Sequence, residues 1–430
     1  MFSFFAYGNS KSAKLNILYY SILCYIASLF FKGIPAITNI LMVWIFLLAV
    51  VNFKGKNYLS AFSENRVNIG IVLFIIYHFI SLAFSVDKNA GMEVLSRRIP
   101  LLVLPAAFCL ISFEAKAWYK LLIFYAFATT IASLAGFSYG VYLNLKFHDT
   151  GYLYNDNISA FLLGKQSVYF SFYVNCAIFI FTYFLLEKID FVKKIKSLII
   201  FSIIWLIFIC FMLACKTAML GLFIILLWTV TGYLIRKRKF FEIIIISFAL
   251  VVAIFLAVKV SPKTLNRFKG ITQTDFQYDN KNKENHFNAE YDESKWGSTN
   301  TRIAIWSCAI EVWKEHPVFG TGIGGRDAAL NAKYKEKQFW YALSTEKHTH
   351  NQYLDIGISM GAVGEIIFLF LFLIYPLKIF LKQKQALAIS IFAFLAICFF
   401  TENMLNRYQG EILIAFILPL VSKIKDKMEI

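Results

Sequence analysis

Apolar and polar stretches alternate along this chain on a scale of about twenty residues, the length of a helix that crosses a bilayer core of about 30 Å. Apolar runs fall at about 15–31, 34–53, 67–86, 99–113, 118–145, 166–187, 197–214, 217–235, 240–260, 351–375, 385–401 and 410–423. They predict an all-α polytopic membrane protein with about twelve transmembrane helices, of which the fourth and last are short. One long polar stretch interrupts them. The chain therefore divides into an N-terminal membrane bundle at 1–260, a large extracytoplasmic loop at 261–350 containing short helices, and C-terminal membrane helices at 351–430. The first run follows a short basic segment without a small-residue cleavage site and is read as a retained helix, not a signal peptide.

Within the loop, residues 272–298 are rich in Asn, Lys, Asp and Glu and read as a flexible surface excursion. Asn300-Thr301 can then cap a helix whose face is Ile303, Ile305, Trp306, Ala309, Ile310 and Trp313. That helix should stop near His316-Pro317. The glycine-rich segment 319–325 reads as a structural turn, since no Gly-Lys-Ser/Thr follows it as a phosphate loop requires. A second short helix is expected over about 327–337. The loop ends at His350-Asn351, just before the apolar run that opens with Tyr353 and Leu354. The pair thus sits at a helix N-terminus, whose unpaired N–H groups and positive dipole attract anions. An imidazole there suits general-base chemistry beside a phosphate; the other reading is a capping Asn beside a bystander His. Gly357, Gly361 and Gly364 give this helix a small-residue face for a neighbouring helix.

Composition fits a membrane protein: 59% of the 430 residues are hydrophobic and 16% charged, against about 25% charged in soluble domains. A net charge of +17 would suggest nucleic acid in a soluble chain, but here the Lys and Arg residues collect at alternate ends of the apolar runs. With the N-terminus inside, the cytoplasmic side receives Lys54, Lys56 and Arg66, then Lys116 and Lys120, the 236–239 basic run and Lys423. This excludes a nucleic-acid partner and places the long loop outside. None of the seven cysteines has CxxC spacing, so neither a disulfide framework nor a thiolate metal site is indicated.

Charge out of place marks candidate sites, because ions at membrane depth are costly and usually face a cavity or a ligand. Lys216 lies between two spans with almost no loop, either at a site or as a snorkelling side chain in a tight turn. Arg97 and Arg98 stand on the outer side against the positive-inside trend, holding an anion or pairing with Glu93. Arg407 has Glu402 and Glu411 as possible partners. Arg302, on the first turn of the loop helix, is opposed by the dipole and calls for an anionic neighbour. Arg267 and Arg326 are weaker candidates. His348 and His350 lack a third ligand nearby, and no Asp-x-Asp pair occurs, so a metal-independent site without a cofactor is expected.

His350-Asn351, nine residues, Gly361, two residues and Gly364 match the His-[Asn/Ser/Gln]-x9-Gly-x-x-Gly signature of bacterial O-antigen ligases. Arg302-x-x-x-Trp306, Pro317-x-x-Gly320-x-Gly322 and the His-x-His-Asn-x-Tyr-Leu block are similar to the wider O-antigen ligase/polymerase superfamily, as is the late outer loop. The resemblance implies a glycosyltransferase of the bacterial inner membrane, its site facing the periplasm. It would use an undecaprenyl-diphosphate-linked glycan and a lipid A-core or other glycan acceptor. By resemblance His350 is the acceptor-side histidine, with Arg302 and Lys216 on the diphosphate; from their own placement Arg97 or Arg98 and Asn351 are further candidates for holding substrate. Lys216 stands where the family has arginine, which keeps the charge but loses the bidentate fork. The alternatives are a polymerase joining repeat units on the carrier lipid, and a small-anion transporter, which would show polar mid-span positions and paired broken helices.

Overall fold

Helices dominate the computed structural model, which describes residues 5, 7, 13–31, 35–55, 58–164, 166–242, 245, 270–285 and 292–424. They are α1 (Ala13–Ser28), α2 (Pro35–Asn52), α3 (Tyr58–Glu64), α4 (Arg66–Ala83), α5 (Lys88–Arg98), α6 (Pro100–Leu110), α7 (Ala115–Phe147), α8 (Asp156–Ala160) and α9 (Ser167–Leu186). Then follow α10 (Lys196–Leu213), α11 (Lys216–Arg236), α12 (Ser298–Glu315), α13 (Arg326–Glu336), α14 (Trp340–Ser344), α15 (Gln352–Ile367), α16 (Tyr375–Lys382), α17 (Ala386–Phe399) and α18 (Tyr408–Ser422). Among the described residues seven helical stretches are long and apolar enough to cross a membrane, and α17 and α18 are shorter apolar helices. The chain is an all-α, multi-pass membrane protein. The expected span at 240–260, apart from 240–242 and 245, and Arg267 lie outside the described residues.

Burial orders the bundle. In α9, 83% of the apolar window is inside the protein, against 22% in α2, so α9 is central and α2 peripheral. A polar residue in so dry a place needs partners. Asn175 of α9 has them: its Nδ2 donates to the Ala218 carbonyl at 2.7 Å, and the Cys210 thiol donates to its Oδ1 at 3.5 Å. This ties α9 to the α10–α11 junction, where Ala214 takes a left-handed conformation (φ 51°) and the chain reverses without a loop. Lys216 consequently starts α11.

Two features of the loop differ from the expectation. The described part of 272–298 is folded: Asn280 and Asn282 both donate to the Ser294 carbonyl, and Trp296 is buried against Phe339 and Tyr341. Asparagine amides here replace regular backbone pairing, which composition alone reads as disorder. Helix α12 begins at Ser298 with Gly297 at its cap, three residues before Asn300, because Asn300 reaches back to accept from the Gly297 N–H at 2.8 Å instead of acting as the cap. Its buried face is Thr301, Ala304, Ile305, Cys308, Ala309 and Val312, while Ile310 is exposed. The helix stops at Glu315 and α13 follows the glycine turn as anticipated.

Helix α15 is broken at Gly361 (φ 63°, ψ −166°), a conformation open essentially to glycine. Here the loop docks: Ala362 N–H donates to the Pro317 carbonyl at 2.8 Å, Val363 N–H to Val318 at 3.2 Å, and Thr321 N–H to Ile358 at 2.9 Å. A Cβ on Gly361 would stand 2.2 Å from the Val318 oxygen. The three glycines therefore do not form one stripe for one helix, since Gly357 abuts the Trp313 ring and Gly364 faces Tyr77 and its own helix. The break is filled by loop backbone.

Candidate active site

His350 immediately precedes Asn351, the cap of α15, and is held in the left-handed region (φ 46°), a conformation that costs a non-glycine residue about 1–3 kcal/mol. Neighbours fix it on both sides. The Asn351 side chain accepts from the Leu354 N–H at 3.1 Å and caps α15. The Thr349 carbonyl accepts from Trp306 Nε1 of α12 at 2.9 Å. The imidazole is 32% exposed, and its Nδ1 lies 3.4 Å from Glu402 Oε2. A carboxylate can only accept, so Nδ1 donates to Glu402, which in the neutral imidazole leaves the lone pair on Nε2.

Glu402 sits in the short connection between α17 and α18, its side chain 13% exposed. The Tyr169 hydroxyl of α9 donates to its other oxygen at 3.2 Å. Burial opposes its ionisation, but the His350 hydrogen bond, the Arg302 charge and the Tyr169 hydroxyl hold it below the usual carboxylate range. Next to it, Thr401 Oγ1 is 2.6 Å from Thr217 Oγ1, the residue after Lys216. Lys216 Nζ donates to Ser298 Oγ at 2.6 Å, and the Ser298 carbonyl accepts from Arg302 Nη1 at 3.4 Å. Arg302 Nε is buried without a hydrogen-bond partner among the described residues. The N-terminal ends of α11, α12 and α15 are thus linked through Ser298, Trp306 and Thr349, with Lys216 on the first turn of α11 and Arg302 on the second turn of α12. Each such end carries about half a positive charge, so the arrangement is built for an anion.

Beneath it lies a second buried layer. Asp355, on the first turn of α15, accepts from Arg326 Nη1 (3.0 Å), Asn406 Nδ2 (2.8 Å) and Asn403 Nδ2 (3.1 Å). Thr349 Oγ1 bonds Asn403 Oδ1 at 3.0 Å, so the residue before His350 is pinned to the residue after Glu402. Arg326 also grips Asp327 through two bonds at 2.8 and 2.9 Å, and His348 Nδ1 is 3.6 Å from Asp327. The two loop histidines thus face different carboxylates.

Arg98 belongs to this supporting layer. It is 2% exposed, donating to the Leu405 carbonyl (3.2 Å) and Asn406 Oδ1 (2.9 Å), so it braces the α17–α18 connection instead of presenting itself at the surface. Arg97 pairs with Glu93 at 3.7 Å on an exposed helix face, where such pairs contribute about 0–1 kcal/mol. Asn351 is occupied as the cap. Glu402 turns to His350 and Tyr169 instead of Arg407. Of the sequence candidates, Lys216 and Arg302 bond one serine, His350 bonds Glu402, and Arg326, a weaker candidate, holds Asp355; the structure adds Glu402, Tyr169 and Asp355.

Residues 201–369 match the model of the O-antigen ligase family. This window contains Lys216, Arg302 and His350 and supports the superfamily resemblance carried by the 348–364 signature; it ends before Glu402. An uncharacterised protein of Haemophilus influenzae is 34% identical over 86 residues, 20% of this chain, and the chain spans 21% of that protein's length.

Proposed function

We propose that this protein is a lipid-carrier-dependent glycosyltransferase of the O-antigen ligase type. It transfers glycan from undecaprenyl diphosphate to a hydroxyl of a lipid A-core acceptor on the periplasmic face of the inner membrane. The observation that carries the reading is that Lys216 and Arg302 bond the same serine, Ser298, while Glu402, which holds His350, lies in the field of Arg302 and beside the Thr217–Thr401 contact.

The chemistry is a direct displacement with inversion. The acceptor hydroxyl gives its proton to His350 Nε2, its oxygen forms the bond to the anomeric carbon, and the carbon–oxygen bond to the diphosphate breaks with the electron pair leaving on the phosphate. Glu402 holds the imidazole in the required tautomer and balances its charge after proton transfer. Arg302 and Lys216 meet the negative charge that grows on the leaving diphosphate. General-base assistance is worth about 10²–10⁴ in rate, and one charge-stabilising contact about 3–4 kcal/mol. The carrier diphosphate is already an activated leaving group, so no nucleotide or metal is invoked.

His350→Ala and Arg302→Ala should each abolish glycan transfer in membranes that retain the protein; near-normal transfer by either refutes the reading. A deletion strain separates ligase from polymerase. Loss of all glycan-capped lipopolysaccharide is the ligase result, and survival of a single-repeat band is the polymerase result.

A further inference from the structure

The outer loop turns two apolar side chains, Val318 and Phe319, away from the protein at a point where its backbone is firmly held. The Pro317 and Val318 carbonyls accept from Ala362 and Val363 at the break in α15, and the Gly324 N–H donates to Ser85 Oγ at 2.9 Å. Gly322 lies so close to the α4–α5 turn that a Cβ on it would stand 2.4 Å from the Ser85 Cα. Phe319, 63% exposed, is thereby set over Phe84, with ring centroids 6.4 Å apart and planes at 21°. Phe84 is itself 72% exposed. Thr321 carries the hold onward, its N–H donating to Ile358 on the segment of α15 that Asn351 caps.

Both helices that hold this tip bring an exposed apolar stripe up to it. On α4 the stripe is Leu73, Ile76 and Ile80; on α15 and the stretch Phe368–Ile374 that continues it, the stripe is Ile366, Phe370 and Ile374. These faces belong to membrane-spanning stretches, so they meet lipid. Helix α4 has 18 residues and is about 27 Å long, close to the bilayer core of about 30 Å. Phe84, the next residue, therefore lies at the hydrocarbon boundary, a depth that apolar rings of interfacial segments occupy. Polar side chains, Asp87, Lys88 and His316, are exposed beside the patch and mark its water side. We infer that the 317–319 tip is a membrane anchor, with Val318 and Phe319 inserted beside Phe84 among the acyl chains of the leaflet nearest the loop. The lipid-facing surface of the bundle thus continues onto the loop.

The test uses the full-length protein in phosphatidylcholine nanodiscs, with a photo-crosslinking benzophenone amino acid in place of Phe319, Ile366 or Lys335. After irradiation, adducts are identified by mass spectrometry. Position 366, on the lipid-facing stripe, and position 319 should both yield phosphatidylcholine adducts, while position 335, exposed on α13, should yield few. A lipid yield at 319 no higher than at 335 overturns the anchor. A crosslink from 319 to a second copy of the chain overturns it too, since the face would then be a protein interface. Amide exchange supplies the second readout. Phe319→Asp should speed exchange over 317–321 at least about tenfold, the loss expected when one apolar ring no longer favours burial. Phe319→Leu should stay close to wild type, and the membrane spans should remain protected in both variants. Unchanged exchange in Phe319→Asp overturns the inference.

Discussion

Glu402 is the residue on which the proposed site turns without touching substrate. It reaches His350 Nδ1 and receives Tyr169, so Glu402→Gln keeps the shape and removes the charge. Such a variant should lose at least about tenfold in kcat, with donor KM unchanged, because positioning of the base acts only in the transition state. An equal rise in KM would instead mark Glu402 as a substrate contact. Arg302→Lys should retain part of the activity that Arg302→Ala loses, as charge survives and the fork does not; single-turnover transfer rates would show the order. The cations and the histidine were legible in the sequence because charge beside an apolar run is conspicuous. Glu402, Tyr169 and the Thr217–Thr401 contact were not, because α9, α11 and the α17–α18 connection meet only in three dimensions.

Among elements, the break in α15 decides where the outer loop sits. Gly361 accepts the 317–321 backbone at a separation no side chain allows. Gly361→Ala should destabilise the docked loop by more than about 2 kcal/mol, seen as faster amide exchange over 317–325 and reduced transfer, with the remaining spans still protected. Unchanged exchange there would contradict the docking role. Asn351→Ala removes only a cap and should cost about 1 kcal/mol, so its transfer defect should be far smaller than that of His350→Ala. Helix positions were readable from apolar run lengths, since lipid contact imposes a period and a minimum length. The break was not, because its backbone partners lie some forty residues earlier and leave no periodic trace. The start of α12 shifted for a related reason: the Asn300 amide works backwards along the chain.

At the scale of the whole molecule, carboxylates hold the outer loop together. Partial burial works against ionisation of Asp327, but the nearby His348 imidazole and the Arg326 guanidinium keep its carboxyl well below the usual range. Burial likewise opposes Glu284, which Lys347 and the Tyr341 hydroxyl nevertheless hold low. A depressed folded-state value means stability that is present above the ordinary carboxylate range and is lost as pH falls through the depressed one. Thermal midpoints in nanodiscs should therefore stay level from pH 7 to about pH 5 and then decline. Asp327→Asn should flatten part of that decline, the part being modest because the Asp327 side chain is 51% exposed and solvent screens it. A decline of unchanged size would remove Asp327 from the linkage. Net composition and the basic ends foretold a multi-pass membrane protein; they carried no information on this polar layer, whose members are scattered from Arg98 to Asn406.

The most direct measurement is single-turnover transfer from purified undecaprenyl-diphosphate-linked glycan, with bound donor quantified in the same sample, for wild type, His350→Ala, Arg302→Ala and Lys216→Ala. The account predicts that His350→Ala still binds donor but loses transfer by at least about a hundredfold. Arg302→Ala and Lys216→Ala should lose donor binding together with transfer. Transfer by His350→Ala at close to the wild-type rate would contradict it.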